Sequence, residues 1–393
     1  MYDAVFITDH DDVISTSIMT LGPYKCAHVL RKLGYKCLVV TNTANFTKED
    51  FKQLFFYAIG PNTKFVGFST TFIWISQDGL VSGEKSREEQ VLSEIKKYNK
   101  DTKILIGGAK AHRQFANKNV DFAVVGYGET SIVNIMNHLD HGKSLKDSFV
   151  NIHGVTIVDS QNKETYDFIS DVMHWLPEDV VNYRTLPIEM SRGCIFKCKF
   201  CSHRNTGKKK LEFVKKNHTL EQELHQVYRD FGITHYQIVD DTFNDDVTKL
   251  EQIRAVTDTL PEQLNLWCYM RLDLLGRYPQ SLPILRDIGI RATVFGIETM
   301  HPKAASVVGK GGSRQRIIDA IHMVRKDFPE LSMHSGFIVG LPHEPMSSIE
   351  RTLEELNSGK IALHSWSWTA FQIQKAGMYQ ADSLFNLEFE KYG

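Results

Sequence analysis

The sequence predicts an α/β protein in two parts: a doubly wound, parallel-sheet domain followed by an incomplete TIM-like barrel of six β/α units. Three observations carry that expectation. Short, almost wholly apolar runs alternate with helical patterns from the first residues, as parallel strands covered on both faces require. The alternation breaks between about 141 and 185 and then resumes. A length of 393 residues leaves room for two or three domains.

In the first part, Ala4–Thr8 reads as a strand, Lys25–Leu33 as a helix closed by Gly34, and Cys37–Val40 as the next strand. Thr47 is placed to cap a helix running to about Ile59, which Gly60-Pro61 ends. Phe65–Ser69, Lys103–Ile106 and Phe122–Val125 read as further strands, with helices at Arg87–Tyr98, led by Ser86, and from about Glu129. This domain is expected to span 1–140. In such folds ligands sit at the carboxyl ends of the strands, near the point where strand order reverses. Small residues collect at those ends: Ser69, Gly107 with Gly108, and Gly126 with Gly128. Glycine admits close approach of a ligand and is also ordinary turn chemistry, so these residues alone leave both readings open. No G-x-G-x-x-G follows the first strand, which lowers a dinucleotide reading.

Residues 141–185 read as a connector in which His153–Val158 forms a strand, Gln161–Tyr166 adds a turn and a second short strand, and Pro177 and Pro187 interrupt the chain. The barrel is expected over 186–375, with a short tail at 376–393. Its strands are Ile188–Met190, Tyr236–Val239, Leu266–Met270, Thr293–Gly296, Ser335–Val339 and Ser365–Phe371. The helices between them are Leu220–Phe231, Val247–Thr259, Ser281–Ile288, Arg314–Lys326 and Ile349–Asn357. Catalytic groups of barrels gather at the strand C-termini. There the sequence places Cys194, Asp240-Asp241, Arg271 with Asp273, Glu298, and Gly340 through Glu344.

Composition narrows the function. Lys and Arg total 46 against 47 Asp and Glu, which argues against a protein built to coat nucleic acid or an acidic membrane. No run approaches the roughly 20 apolar residues of a membrane helix, and Met1-Tyr2-Asp3 does not begin a signal peptide. A cytoplasmic location, where thiols stay reduced, is expected. Of six cysteines, Cys26, Cys37 and Cys268 are scattered, while Cys194, Cys198 and Cys201 form a C-x3-C-x2-C run. Three thiolates this close suit a soft metal or an iron–sulfur cluster. Structural zinc is the alternative, and it needs a fourth ligand, for which His203 is the local candidate at a tight spacing.

The run sits after the first barrel strand, with Ser191-Arg192-Gly193 before it and Phe200 preceding the last cysteine. In this it resembles the signature of the radical S-adenosylmethionine (SAM) superfamily. The resemblance implies a 4Fe–4S cluster on Cys194, Cys198 and Cys201, SAM on the fourth iron, and cleavage of SAM to a 5′-deoxyadenosyl radical. It also implies an external low-potential electron donor of flavodoxin or ferredoxin type. Further stretches resemble the family along the barrel. Asp240 and Asp241 stand where many members hold the SAM amino group with a glycine-rich element, whose glycines are missing here. Gly296-Ile-Glu298 resembles the element whose Glu lies near SAM, and Gly336 through Glu344, including Gly340, the segment beside adenine, which Phe200 would also reach. Arg271, with Tyr269 and Asp273, would border the site.

A doubly wound domain before such a barrel resembles the cobalamin-binding subclass, whose Rossmann-like domain holds the corrin. Ser69, Gly107, Gly108, Gly126 and Gly128 carry that likeness. The Asp-x-His-x-x-Gly loop that offers histidine to cobalt is absent, and Asp9-His10 has the wrong spacing. The implied reaction is methylation of an unactivated carbon. Without cobalamin the same radical would serve a rearrangement, an oxidation or a sulfur insertion, and a non-catalytic Fe–S redox or partner protein is a third reading. The basic strip Lys208–Lys210 with Lys215-Lys216 reads as a solvated face, with an RNA contact as the alternative. Trp366 and Trp368 share one side of the last strand, lumen or exterior. Relatives usually carry a C-terminal cover, so a partner chain closing the open barrel is an expectation, and the substrate stays unnamed.

Overall fold

The computed structural model of the chain describes residues 1–9, 19–71, 73, 87–108, 111, 117, 119–151, 153–159, 166–180, 184–201, 206–371, 385 and 388–392. Two compact units emerge. One comprises Met1–Asp167 with Met173–Asn182, the other Phe168–Val172 with Tyr183–Gly393. Ser86, His10, His203 and the strand expected at 161–165 fall outside the described residues.

The first unit runs β1 (Ala4–Ile7), α1 (Leu21–Lys32), β2 (Cys37–Val40), α2 (Lys48–Ala58), β3 (Phe65–Ser69), α3 (Arg87–Tyr98), β4 (Lys103–Gly107), β5 (Phe122–Val125), α4 (Gly128–His141), β6 (Ser148–Val150) and β7 (Thr156–Asp159). The sheet order is β2-β1-β3-β4-β5-β7-β6, parallel except for the β6–β7 pair. The strands are apolar because both faces are covered: β1, β3 and β5 are buried at every position. Phe6 meets Phe65 edge-on in this core, ring centroids 5.5 Å apart. Thr47 caps α2 as its sequence position predicts. Its hydroxyl accepts from the Asp50 N–H, and Asp50 accepts from the Thr47 N–H at 2.7 Å.

The segment 141–185 does more than connect, because β6 and β7 extend the sheet. Asp179 further along accepts two hydrogen bonds from Arg31 of α1, at 2.6 and 3.0 Å. The chain passes from β1 to β2 on one side and to β3 on the other, so strand order reverses at β1/β3. Ser69 ends β3 at that point.

The second unit runs β8 (Thr185–Ile188), α5 (Asn217–Phe231), β9 (His235–Ile238), α6 (Val247–Thr257), β10 (Asn265–Met270), α7 (Leu272–Arg277), α8 (Ser281–Ile288), β11 (Ile290–Glu298), α9 (Pro302–Val308), α10 (Arg314–Asp327), β12 (Ser332–Val339), α11 (Met346–Asn357) and β13 (Ser365–Ala370). Its six strands are parallel and stand in sequence order, with β8 and β13 as the two edges. This is the incomplete barrel that six β/α units predict. The first strand lies earlier than expected and contains Pro187, which the sequence reading treats as a breaker. β8 is an edge strand paired only with β9, and a missing N–H is tolerated there. The short helices α7 and α9 escape the periodicity argument because so few turns carry little pattern.

The two faces of the barrel sheet differ. Trp267 and Tyr269 of β10, Val294 of β11, His334 of β12 and Ser367 of β13 share the more open, lumen-type face. Trp366 and Trp368 take the other, where Trp368 stacks on buried Phe337 with centroids 4.9 Å apart. The exterior reading of the tryptophans therefore holds. On the open face His334 bridges Ser365 and Ser367 at 2.8 and 3.1 Å. No helix among the described residues is long and apolar enough to cross a membrane.

Candidate active site

The cysteine loop leaves β8 and is pinned on two sides. Its start is tied to its own return strand: Arg192 N–H donates to Phe213 O at 3.0 Å and Lys215 N–H to Met190 O at 2.9 Å. Within the loop, Gly207 N–H donates to the carbonyls of Cys194 and Phe196 at 2.7 and 3.0 Å. On the far side Lys199 N–H donates to Val308 O at the end of α9, 3.0 Å away. A loop held this way presents its side chains from a rigid frame. No disulfide joins any of the six cysteines.

Each of two thiols has polar company. Thr242 Oγ1 lies 3.2 Å from Cys194 Sγ, and the Phe196 N–H points at the same sulfur from 3.5 Å. Burial raises the Cys194 thiol above its ordinary pKa, and these two hydrogen bonds oppose it. Arg271, at the end of β10, donates to Cys198 Sγ at 3.5 Å. Its guanidinium lies 3.8 Å over the Phe196 ring, is held by Asp273 through two bonds of 2.9 Å, and donates to Lys310 O at 3.2 Å. Its backbone is locked in a reciprocal pair with Asn244, 2.9 Å each way. Only 5% of Arg271 is exposed, so the cation is fixed against the sulfur by four neighbours.

Asp240, at the C-terminal end of β9, supports the loop from beneath. Its carboxylate accepts N–H bonds from Met190 and Ser191 at 2.8 and 3.0 Å, and the Ser191 hydroxyl at 2.6 Å. Lys249 of α6, wholly buried, reaches Asp240 at 3.9 Å and Asp245 at 2.5 Å, and donates to Ser191 Oγ and Thr242 O. Burial pushes the Asp240 carboxyl upward while Lys249 and the Ser191 and Met190 bonds pull it back. Asp240 is thereby occupied inside the protein, and of the aspartate pair Asp241 is the more exposed. Lys208 is likewise drawn in, 3.9 Å from Asp245, and Lys215 pairs with buried Glu223. The basic strip is thus not one solvated face. Its lysines divide between buried ion pairs and the exposed Lys209, Lys210 and Lys216, because their partners lie on both sides of the loop.

Glu298 ends β11 with φ of 68°, a conformation that costs a non-glycine residue roughly 1–3 kcal/mol and is seen chiefly at functional sites. A bulge between Gly296 and Glu298 turns its carboxylate back over Gly296. Lys310 lies 3.4 Å from Glu298 Oε1 and donates to Gly296 O at 2.8 Å. Burial raises the Glu298 carboxyl, against the pull of Lys310. Lys310 also faces the Phe200 ring at 5.7 Å, and Phe200 packs against Ala304, Val308 and Leu341. Gly340, φ 93°, follows β12 beside Phe371. Lys249, Thr242, Phe196 and Lys310 were not singled out from the sequence. The Asp245–Lys249 spacing of four across the start of α6 was the available signal for the first.

The three cysteines are a thiolate donor set suited to an iron–sulfur cluster. Among the described residues no three His, Cys, Asp or Glu side chains converge on a single ion. A cubane needs no such convergence, since each cysteine takes a different iron.

At the switch point of the first unit, Ser69 Oγ is buried with no hydrogen-bond partner among the described residues. Gly108, φ 97°, lies against it: a Cβ there would meet Thr71 Oγ1, Thr70 N and Ser69 Oγ at 3.0–3.3 Å. Gly107 pairs with Ser69 across the strands and has ordinary room for a Cβ. Gly126 has φ of 90°. Gly128 has a reason inside the fold, for a Cβ would stand 2.7 Å from Cys26 Sγ of α1.

Residues 188–356 match the model of the radical SAM superfamily. An uncharacterized methyltransferase of Pyrococcus horikoshii is 26% identical over 259 residues, 60% of this chain and 52% of its own length. The ribosomal protein uS12 methylthiotransferase RimO of Ruegeria pomeroyi is 23% identical over 190 residues, 44% of this chain and 40% of the relative. The chain thus spans about half or less of these curated relatives. Among solved structures, the radical SAM methyltransferase TsrM of Kitasatospora setae, with cobalamin and a [4Fe-4S] cluster bound, superposes with a TM-score of 0.72 at 16% identity. The alignment covers 94% of this chain and 75% of TsrM. The cobalamin-dependent radical enzyme OxsB, with aqua-cobalamin and SAM bound, gives 0.70 at 16% identity, covering 99% and 56%. At such identities these two likenesses establish the arrangement of elements alone. The barrel unit, over residues 188–356, thus matches the radical SAM superfamily.

Proposed function

We propose that this chain is a cobalamin-dependent radical SAM methyltransferase acting on an unactivated carbon of its substrate. Cys194, Cys198 and Cys201 would hold a 4Fe–4S cluster, at which SAM would bind. The observation that carries this reading is the pinned cysteine loop with a buried arginine fixed on Cys198. When bound, the reduced cluster supplies the electron that cleaves SAM, and the corrin supplies the methyl group.

The chain's own residues hold and shield. Arg271, Thr242 and the Phe196 N–H stabilise negative charge on two cysteine sulfurs, as hydrogen bonds to charged groups do more strongly than neutral ones. Asp240 and Lys249 fix the loop that carries the sulfurs. Glu298 and Asp241 offer carboxylates at the strand ends for the SAM amino group and ribose, and Phe200 with Gly340 borders the adenine. In the first unit the Ser69 hydroxyl, without a partner among the described residues, and the small residues Gly107, Gly108 and Gly126 would make room for the corrin's nucleotide tail at the switch point. Gly128 serves helix packing instead.

Purification without oxygen, with cobalamin supplied, tests this. A brown protein that retains corrin absorbance and releases 5′-deoxyadenosine on reduction is expected, with colour and cleavage both lost in Cys198→Ala. A colourless protein carrying zinc overturns the reading, and a brown protein that never retains a corrin removes cobalamin from it.

A further inference from the structure

We infer that the strap Phe168–Val172, between β7 and β8, is the clamp that holds the root of the cysteine loop, with Phe168 as its positioning residue, an inference that rests on the radical SAM reading above. The chain before it, to Asp167, and after it, from Met173, groups with the first unit, while these five residues group with the barrel unit. Of the five only Phe168 is buried, at 2% exposure. Its ring meets two cations: the Arg192 guanidinium lies 4.4 Å from the centroid and Lys215 Nζ 5.5 Å from it. Both are within reach of a cation–π attraction, which strengthens where water is excluded.

The two cations belong to the two legs of the loop's root. Ser191 and Val214 form an antiparallel bridge there, and the Arg192 and Lys215 N–H groups donate to Phe213 O and Met190 O. A strand pair this short is marginal by itself. Cys194 follows Arg192 by two residues, so whatever holds the root sets where the sulfurs are presented. Arg192 and Lys215 are 2% and 6% exposed, and each has a carboxylate. Glu189 accepts from Arg192 at 2.9 and 3.1 Å, and buried Glu223 of α5 pairs with Lys215. Charges taken out of water are costly unless such pairs stay closed. One ring packed on both cations joins the legs and keeps water from both pairs. The strap is fixed in turn by the leg it covers: Lys216 N–H donates to Ile169 O at 3.1 Å, and Lys216 Nζ to Ser170 Oγ at 2.8 Å. Phe168 thus acts on a cluster only through the loop that carries the cysteines.

The test uses the full chain, first without cluster and then loaded. Amide hydrogen exchange is followed over 190–192 and 213–216, with β9, β10 and β11 as the internal standard. Phe168→Leu keeps an apolar side chain and deletes the ring face. In the cluster-free chain it is expected to speed exchange at the root roughly tenfold or more, with the standard unchanged. In the loaded chain iron should pass to a ferrous chelator severalfold faster. Phe168→Tyr keeps the ring face and should exchange like wild type. The matched control is Phe328→Leu, a buried ring under Arg286 at 4.9 Å elsewhere in the barrel unit, which should leave the root alone. Lys216→Ala removes only the exposed bond to Ser170, should speed root exchange about twofold, and replaces Phe168→Leu as the deciding variant if that one does not fold. Root exchange at the wild-type rate in the deciding variant, equal acceleration in Phe328→Leu, or Phe168→Tyr as fast as Phe168→Leu overturns the clamp. A wild-type chain that never takes up iron fails the radical SAM reading instead, and exchange in the cluster-free chain still decides the clamp.

Discussion

Lys249→Met is the sharpest probe of how the cysteine loop is held. The substitution keeps an unbranched stem of similar volume and deletes the cation. It leaves Asp240, 1% exposed, without its counter-charge and Asp245, 5% exposed, with only Lys208 at 3.9 Å, and removes donors to Ser191 Oγ and Thr242 O. Removing one partner of a buried pair costs about 3–5 kcal/mol, mainly the penalty of the charge left behind. In a unit of this size each kcal/mol moves the melting midpoint roughly 2–4 °C, so a fall of roughly 6–20 °C is expected. Two units can melt separately, and only the barrel transition should move. The pH dependence has a definite sign. Burial already raises Asp240, and losing Lys249 raises it further. A carboxyl whose folded pKa lies above its unfolded value loses stability as pH rises between the two. The deficit is therefore largest near pH 8 and shrinks towards pH 5. Melts followed by circular dichroism at both values decide the matter. A variant melting within about 2 °C of wild type at pH 8, or a deficit indifferent to pH, refutes the proposed role of this network.

Arg271→Lys keeps the charge but cannot reproduce the fork to Asp273 and the stack on Phe196, so cluster content and reduction midpoint should both change while the fold survives. Iron analysis and a potentiometric titration read this; unchanged values remove Arg271 from the cluster's surroundings. Gly107→Ala meets Val124 only at 3.7 Å, so the melting midpoint should hold while corrin retention falls severalfold. Retention equal to wild type leaves Gly107 with turn chemistry alone. Glu355 accepts from Arg314, Arg351 and Lys360, which overcome its burial and hold its carboxyl at about 2. Glu355→Gln should cost roughly 2 kcal/mol at pH 7, as lost charge-assisted bonds do. The wild type's advantage is present above about pH 4.5 and disappears as pH falls towards 2. Denaturant titrations along that range would show no such convergence if the cluster of cations were merely a surface feature.

The order of elements was legible in the sequence because apolar runs and helical periods report which faces are covered. The strands of both sheets follow from such runs, and the α2 cap from Thr47 and Asp50 alone. The cysteine spacing carried the chemistry, since three thiolates within one loop have few other uses. Other features are properties of neighbours in space. Pro187 reads as a breaker until β8 is known to be an edge strand. Two tryptophans at alternate positions share a side, but only the stack of Trp368 on Phe337 says which. Lys208 and Lys215 look like solvent-facing charge until Asp245 and Glu223 arrive beside them from elsewhere in the chain. Asp240 is a candidate ligand by its place after a strand, and three bonds from the loop above show it at work inside the protein. The sequence by itself determined the fold class and the grouping of three thiols in one loop, because periodicity and short spacing are local. Only the tertiary structure decided which charges are buried and what holds the loop, because those depend on contacts between residues tens of positions apart.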